Sequence, residues 1–241
     1  FSHLVLRHVR QEGLDESLFV HHEQPIRYVT AAISYPHERA FIAYYDPAPE
    51  QPAGRRALAT CKADIVYIGG LYHGSEITAS HSLLRAQKSK LVMDGNSPDG
   101  VTLDDPAVRQ AISNLDIFMP NVQEVQRLTG DTTLEDGILR LTALCPLVIL
   151  KQGAMGATAY TSNGKVHVPA IPVQPVDTTG AGDSFNAGFL KALHLGLSIE
   201  ACLAWGNVAG GLSTEALGGT TRVICEEDIR KRLPDIPGYG H

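Results

Sequence analysis

"DIVYIGG" at residues 64–70 and "KLVMDGN" at residues 90–96 are the stretches whose spacing decides the fold. Each is a short apolar run that closes on glycine, and the residues between them, near 76–87, read as a helix. A strand that is apolar without alternation is buried on both faces, and strands of that kind joined by helices build a parallel sheet covered on both sides. The pattern continues. "DDPAVRQAISN" (104–114) places acids and a proline at a helix start, and "LDIFMPN" (115–121) is a third strand. "VQEVQRLTG" (122–130) and "TLEDGILRLTAL" (133–144) are helices, and "PLVILKQGAMG" (146–156) is a fourth strand. "TAYTSNGKVHV" (158–168) reads as a hairpin turning at Asn163-Gly164. Further helices are expected, one beginning within the 175–189 stretch, one near 199–213 and one near 226–233. The fold class is therefore α/β: a three-layer, mostly parallel sheet with helices on both faces. Ligands of such sheets gather at the carboxyl ends of the strands. Gly69-Gly70, Asp94-Gly95-Asn96, Asn121 and Lys151-Gln152-Gly153 all fall on that rim.

Residues before 63 follow a different grammar. Two β-prone runs, at 27–34 and 39–45, form a small β lid hairpin at about residues 25–46, and Pro47, Pro49 and Pro52 mark a linker. The whole of 1–241 is read as a single domain carrying this lid. The opening "FSHLVLRHVRQEGL" lacks an initiator Met and looks like the middle of a helix, with Leu4, Leu6, Val9 and Leu14 on an apolar stripe. A missing native start is expected.

Composition excludes several function classes. A 241-residue chain that is 44% hydrophobic has enough apolar mass for a sizeable core. A net charge of −6 argues against a nucleic-acid surface. No apolar run approaches the length of a membrane span. Cys61, Cys145, Cys202 and Cys225 lack C-x-x-C spacing, which points away from a zinc site or disulfide framework and towards a reducing, cytoplasmic location. His21-His22 has no third ligand near in sequence and reads as surface.

The chemistry is carried by "PVDTTGAGDSFNAGF" at 175–189. An acid in the first helical turn complements the macrodipole, which accounts for Asp183 as an ordinary helix start. It does not account for Gly180, Ala181 and Gly182, because glycine is costly in ordered structure unless its freedom is needed. Bare N–H groups at a helix N-terminus converge on a phosphate or a developing negative charge. Asp183 beside them is placed to take a proton from a hydroxyl attacking that phosphate. A dinucleotide fingerprint fails at Phe185, where its third glycine would stand, and no Walker loop occurs in the chain.

"VDTTGAGDSFNAGF" closely resembles the C-terminal signature of the ribokinase-like (PfkB) carbohydrate kinases. "DGN", "PNVQEVQRLTG", "LKQGAMG" and the late "GNVAGGLSTEALGG" follow in that family's order, so the resemblance covers essentially the whole chain. It implies a ribokinase-like fold and an ATP-dependent kinase of a small sugar or sugar derivative. A nucleoside kinase of the same fold and a non-catalytic nucleotide-binding pseudokinase stand as alternatives. Asp183 matches the family's catalytic base, and Gly180, Ala181 and Gly182 its anion hole. Asp177 and Thr179 match positions that help bind a monovalent cation such as K⁺, in a site that the 216–219 loop would complete. Asn121 and Glu124 match an N-x-x-E motif linked to Mg²⁺ and phosphate, with Glu124 acting on the metal through water. The same pair also reads as a helix capping box, and the two roles are compatible. Lys151 and Gly153 match the strand-end turn that contacts the nucleotide, although a Gly after a strand and a solvated Lys need no ligand. Asn207 would border the adenine pocket, or else serve as a packing residue. The lid implies a possible homodimer. The family's acceptor-binding segment, an acidic strand followed by a glycine pair and an Asn, is not among these residues, so the identity of the sugar is not legible.

Overall fold

The repeated apolar runs become the strands of one six-stranded sheet. The computed structural model describes residues 2–17, 19, 28–34, 39–45, 62–97, 100–130, 133–219 and 221–239. Its contacts divide the chain into two units, Phe1–Cys61 and Lys62–His241.

In the first unit, helix α1 (Ser2–Gln11) carries the expected opening stretch. Leu4 and Leu14 are exposed, while Leu6 and Val9 are partly buried. Strands β1 (Tyr28–Ser34) and β2 (Arg39–Tyr45) pair antiparallel from Tyr28↔Tyr45 to Ser34↔Arg39, the hairpin that the two β-prone runs predict. The His21-His22 pair and the proline linker lie outside the described residues.

In the second unit, β3 (Ile65–Ile68), β4 (Lys90–Asp94), β5 (Ile117–Met119) and β6 (Val148–Lys151) run parallel in sequence order. β7 (Ala157–Thr161) and β8 (Gly164–Val168) then add antiparallel to the β6 edge. Helices α2 (Ser75–Gln87), α3 (Pro106–Ser113), α4 (Val122–Thr129) and α5 (Leu134–Thr142) connect the parallel strands. α6 (Ala181–His194), α7 (Ile199–Ser213) and α8 (Glu226–Arg232) follow the hairpin.

The inner strands β4, β5 and β6 are apolar on both faces because both faces are covered. Val92, Ile117, Met119, Ile149, Ala157 and Ala159 share a core with Phe185 and Phe189 of α6 and with Leu203, Trp205 and Val208 of α7. Their neighbours in the strands, Leu91, Met93, Phe118 and Leu150, are equally buried and point to the opposite side, where α2 and α5 touch the sheet. No described helix is long and apolar enough to cross a membrane.

α6 and α7 pack at close range through small residues. A Cβ added at Gly188 would lie 2.7 Å from the Trp205 carbonyl oxygen and 2.8 Å from Ala209 Cβ. A helix interior gains only about 1 kcal/mol on replacing Gly by Ala, whereas overpacking against a rigid backbone costs roughly 1–3 kcal/mol. Gly188→Ala should therefore lower the denaturant midpoint at unchanged m-value. A rise in midpoint would show that the two helices slide apart freely.

Candidate active site

The sheet and α6 bring five polar groups to one place at the carboxyl ends of the strands. Asp94 ends β4, Lys151 ends β6, Tyr67 lies on β3, and Asp183 and Asn186 lie one turn apart on α6. Lys151 Nζ sits 2.7 Å from Asp94 Oδ1, with side-chain exposures of only 11% and 6%. Asp94 Oδ1 also accepts from Gly95 N at 2.6 Å, while Oδ2 accepts from Asn186 Nδ2 at 2.5 Å. Asn186 Nδ2 reaches Tyr67 Oη as well, at 2.8 Å. Asn186 is itself buried, at 1% exposure, and its Oδ1 has no hydrogen-bond partner among the described residues. Donation to the Asp94 carboxylate dictates that orientation of the amide, since the flipped form would set oxygen against oxygen.

The glycine turn opens α6. Gly180 is the N-cap with φ +73°, a left-handed conformation that L side chains resist. No side chain caps this helix, so its start is backbone alone. The Ala181 N–H donates to Thr178 O at 3.2 Å. By helix geometry the next two N–H groups, of Gly182 and Asp183, have no carbonyl within the helix to bond, and they carry the positive end of its dipole. Lys151 Nζ stands 3.8 Å from where a Gly182 Cβ would be. An ammonium thus flanks a helix start stripped of side chains. Asp183 faces solvent, yet the protein mass around it partly desolvates its carboxyl. That burial raises its pKa above the ordinary carboxylate value; the charge of Asp94 adds to the rise and Lys151 opposes it. Burial likewise raises the Tyr67 phenol, with the Asp94 charge as the second cause.

Asp177 precedes the turn and ties it to a second loop. Its Oδ1 accepts from Thr179 N at 2.9 Å and Thr179 Oγ1 at 2.7 Å, and its Oδ2 from Gly218 N at 2.9 Å. The 216–219 loop therefore closes on the Asp177-to-Gly180 turn, and the two glycines Gly180 and Gly219 pass in direct contact.

Asn121 and Glu124 form a complete capping box at the start of α4. Asn121 Oδ1 accepts from Glu124 N at 2.9 Å, and Glu124 Oε2 from Asn121 N at 2.7 Å. The box abuts the Lys151 strand end, because Asn121 bridges Lys151 and Lys151 N bonds Pro120 O at 2.9 Å. Burial raises the Glu124 pKa, with the Asn121 hydrogen bond and then Lys151 pulling it back. Among the described residues no group of three or more His, Cys, Asp or Glu could hold a metal ion.

A cleft of about 510 Å³ opens beside the glycine turn, lined by Lys151, Gly153, Ala181, Gly182, Phe185 and Asn207 among others. Its further walls include Ile171, Val173, Gly210 and Gly211, an apolar surface suited to a planar base. Asn207 Nδ2 donates to the carbonyls of Val168 at 2.8 Å and Pro169 at 3.1 Å. Its amide thus holds the end of β8 against α7 at the cleft wall.

The structure therefore gathers Lys151, Gly153, Ala181, Gly182 and Asn207 at one cleft, sets Asp183 next in chain and Asn121 with Glu124 behind Lys151, and puts Asp177 and Thr179 in the adjoining turn. Sequence reasoning missed Tyr67 and Asn186 and the pairing of Asp94 with Lys151. One signal was available: Asn186 is three residues beyond Asp183, hence on the same helix face.

Comparison with known proteins gives a consistent family. A family model described as pfkB family carbohydrate kinase matches residues 1–224. The ribokinase of Bacillus subtilis (strain 168) is 36% identical over 129 residues, which are 53% of this chain and 43% of that protein. The chain thus matches less than half the length of this curated relative. Among solved structures, a fructokinase double mutant from Vibrio cholerae O395, in fructose-, ADP- and potassium-bound form, superposes with a TM-score of 0.79 at 22% identity. That match covers 97% of this chain and 81% of the other. The Arabidopsis thaliana ribokinase complexed with ribose and ATP gives a TM-score of 0.65 at 23% identity, covering 81% and 65% of the two chains. At such identities the structural likeness concerns the fold.

Proposed function

Because this chain belongs to the pfkB family of carbohydrate kinases, we propose that it transfers the γ-phosphoryl group of ATP to a hydroxyl of a small sugar or sugar derivative. One observation carries the reading: a carboxylate of raised proton affinity, Asp183, adjoins a helix start made of bare backbone and flanked by the Lys151 ammonium. Phosphoryl transfer asks of the protein mainly positioning and electrostatic stabilisation. The N–H groups of Gly182 and Asp183, in the turn that Gly180 and Ala181 open, stabilise the charge on the transferring group. Asp183 accepts the proton of the attacking hydroxyl as the new O–P bond forms, and the bond to the bridging oxygen of ADP breaks on the opposite side. Gly153 and the apolar cleft walls hold the nucleoside end, with Asn207 keeping the wall in place.

The donor set suits magnesium. One carboxylate, Glu124, backed by Asn121, matches an ion that keeps most of its waters and leans on substrate phosphates. When bound, Mg²⁺ would neutralise phosphate charge. Asp177 and Thr179, with the 216–219 loop, are the residues proposed to hold K⁺, and their supporting feature is the closure of two loops on one carboxylate. The β1–β2 hairpin is proposed as a lid, and a homodimer through it would appear as a doubled mass in light scattering.

The decisive experiment is an ADP-release assay on the full-length protein, screened over sugars and nucleosides. Turnover is expected with a sugar acceptor. Turnover with nucleosides alone would reassign the acceptor, and none with any acceptor would leave a nucleotide-binding protein. Exchanging K⁺ for Na⁺ is expected to slow the reaction, and an unchanged rate would remove the cation site.

A further inference from the structure

Asp94 is far better anchored than a surface ion pair requires. Its two carboxylate oxygens take hydrogen bonds from Lys151, Gly95 and Asn186, and the Asn186 amide is braced in turn by Tyr67. The backbone beyond it has no slack, because a Cβ at Gly95 would lie 2.6 Å from Pro120 Cα. Lysine, by contrast, carries its charge on a flexible four-carbon stem that costs entropy to hold still. Buried ion pairs are poor sources of stability, since desolvation cancels most of the attraction. The worth of this one therefore lies in where it puts the ammonium: on the wall of the nucleotide cleft, against Gly182.

We propose that Asp94 is a positioning residue, which holds the Lys151 ammonium beside the Gly180–Gly182 turn so that it meets the phosphates of a bound nucleotide. The proposal rests on the kinase reading for the identity of the ligand. Asp94 itself touches no phosphate. Asn186 and Tyr67 serve it by fixing the second carboxylate oxygen, so the direction of the carboxylate, and with it that of Lys151, is set from β3 and α6 together.

A double-mutant cycle on the full chain tests this, using Asp94→Asn, Lys151→Met and the pair, with Mg-ATP and adenosine as calorimetric ligands. A charge-assisted contact to phosphate is worth roughly 10–100-fold in affinity, so each single variant should lose about that much for Mg-ATP. Adenosine, which has no phosphate, should bind all three as it binds the wild type. If Asp94 acts through Lys151, the double variant should bind Mg-ATP no more weakly than Lys151→Met alone. Losses that multiply, or adenosine binding that falls in step with Mg-ATP, would overturn the proposal, the second outcome marking a collapsed pocket. Should Asp94→Asn fail to fold, Asn186→Ala removes the short hydrogen bond to Asp94 Oδ2, leaving that oxygen only the 3.4 Å bond from Tyr67 Oη, and keeps the ion pair. It should show a smaller loss for Mg-ATP alone, and wild-type affinity there would equally overturn the idea. These readouts are binding constants, so a protein that phosphorylates no acceptor would sink the kinase reading and leave the cycle interpretable. A multiplicative cycle in an active kinase would sink the role of Asp94 alone.

Discussion

Replacing Asp183 with alanine is expected to lower kcat by about 10²–10⁴-fold, the usual contribution of a positioned general base. KM for both substrates should change little, because the proton moves only in the transition state. The pH profile gives a second reading of the same residue. Desolvation and the neighbouring charge of Asp94 raise its pKa, and a base must be unprotonated to work. The acid limb of kcat/KM should therefore lie above the ordinary aspartate value of about 3.9, with activity lost as the pH falls through it. In Asp183→Ala that limb should vanish along with most of the rate. An alanine variant that keeps wild-type kcat would remove Asp183 from the chemistry, whatever the family.

Gly180→Ala should come next in size. The residue sits at φ +73°, where an L side chain costs roughly 1–2 kcal/mol. The added Cβ would also lie 3.1 Å from Gly219 Cα and 3.2 Å from its oxygen, both backbone atoms of the loop that Asp177 holds shut. The turn has to move, and a displacement near 1 Å at a reacting group is worth about 10² in rate. Gly196→Ala supplies the control. It has nearly the same φ, +74°, with nothing within 4 Å of the new Cβ. In thermal unfolding both variants should lose the stability that the positive φ costs, Gly180→Ala somewhat more because its Cβ also meets Gly219, and only Gly180→Ala should lose kcat. Equal kcat in the two would show that the glycine turn is a fold requirement with no catalytic share.

The elements were legible because their signals are local. The apolar runs at 65–68, 90–94, 117–119 and 148–151 each lie within one strand, and their continuity already says that both faces are covered. The capping box at Asn121 and Glu124 is a spacing of three within one helix turn, readable without tertiary structure and present as read. The hairpin and the acid-bearing start of α6 are of the same kind, although the turn falls one residue earlier than read, at Ser162-Asn163, with Gly164 already paired to Thr161. The ligand rim was legible for a different reason, since chain direction alone fixes which strand ends lie together in a parallel sheet.

The contacts around that rim were not legible. Lys151 and Asp94 are 57 residues apart, and Asn186 meets Tyr67 across 119. Pairings at those distances depend on strand order, on the register that sets Asp94 opposite Met119, and on how far α6 slides along the sheet before Gly188 meets Trp205. None of these leaves a trace in the spacing of residues along the chain.

By itself, then, the sequence determined the kind of chemistry: a bare helix start with an acid inside it, on a sheet whose strand ends make a ligand rim. Only the tertiary structure decided what surrounds that acid. It set Lys151 beside the glycine turn, gave Asp94 and Asn186 the work of holding it there, and committed the amide of Asn207 to the cleft wall. The physical reason is range. Caps, turns and periodicity act over a few residues, while a buried charge finds its partner only after the sheet and α6 have brought distant parts of the chain together.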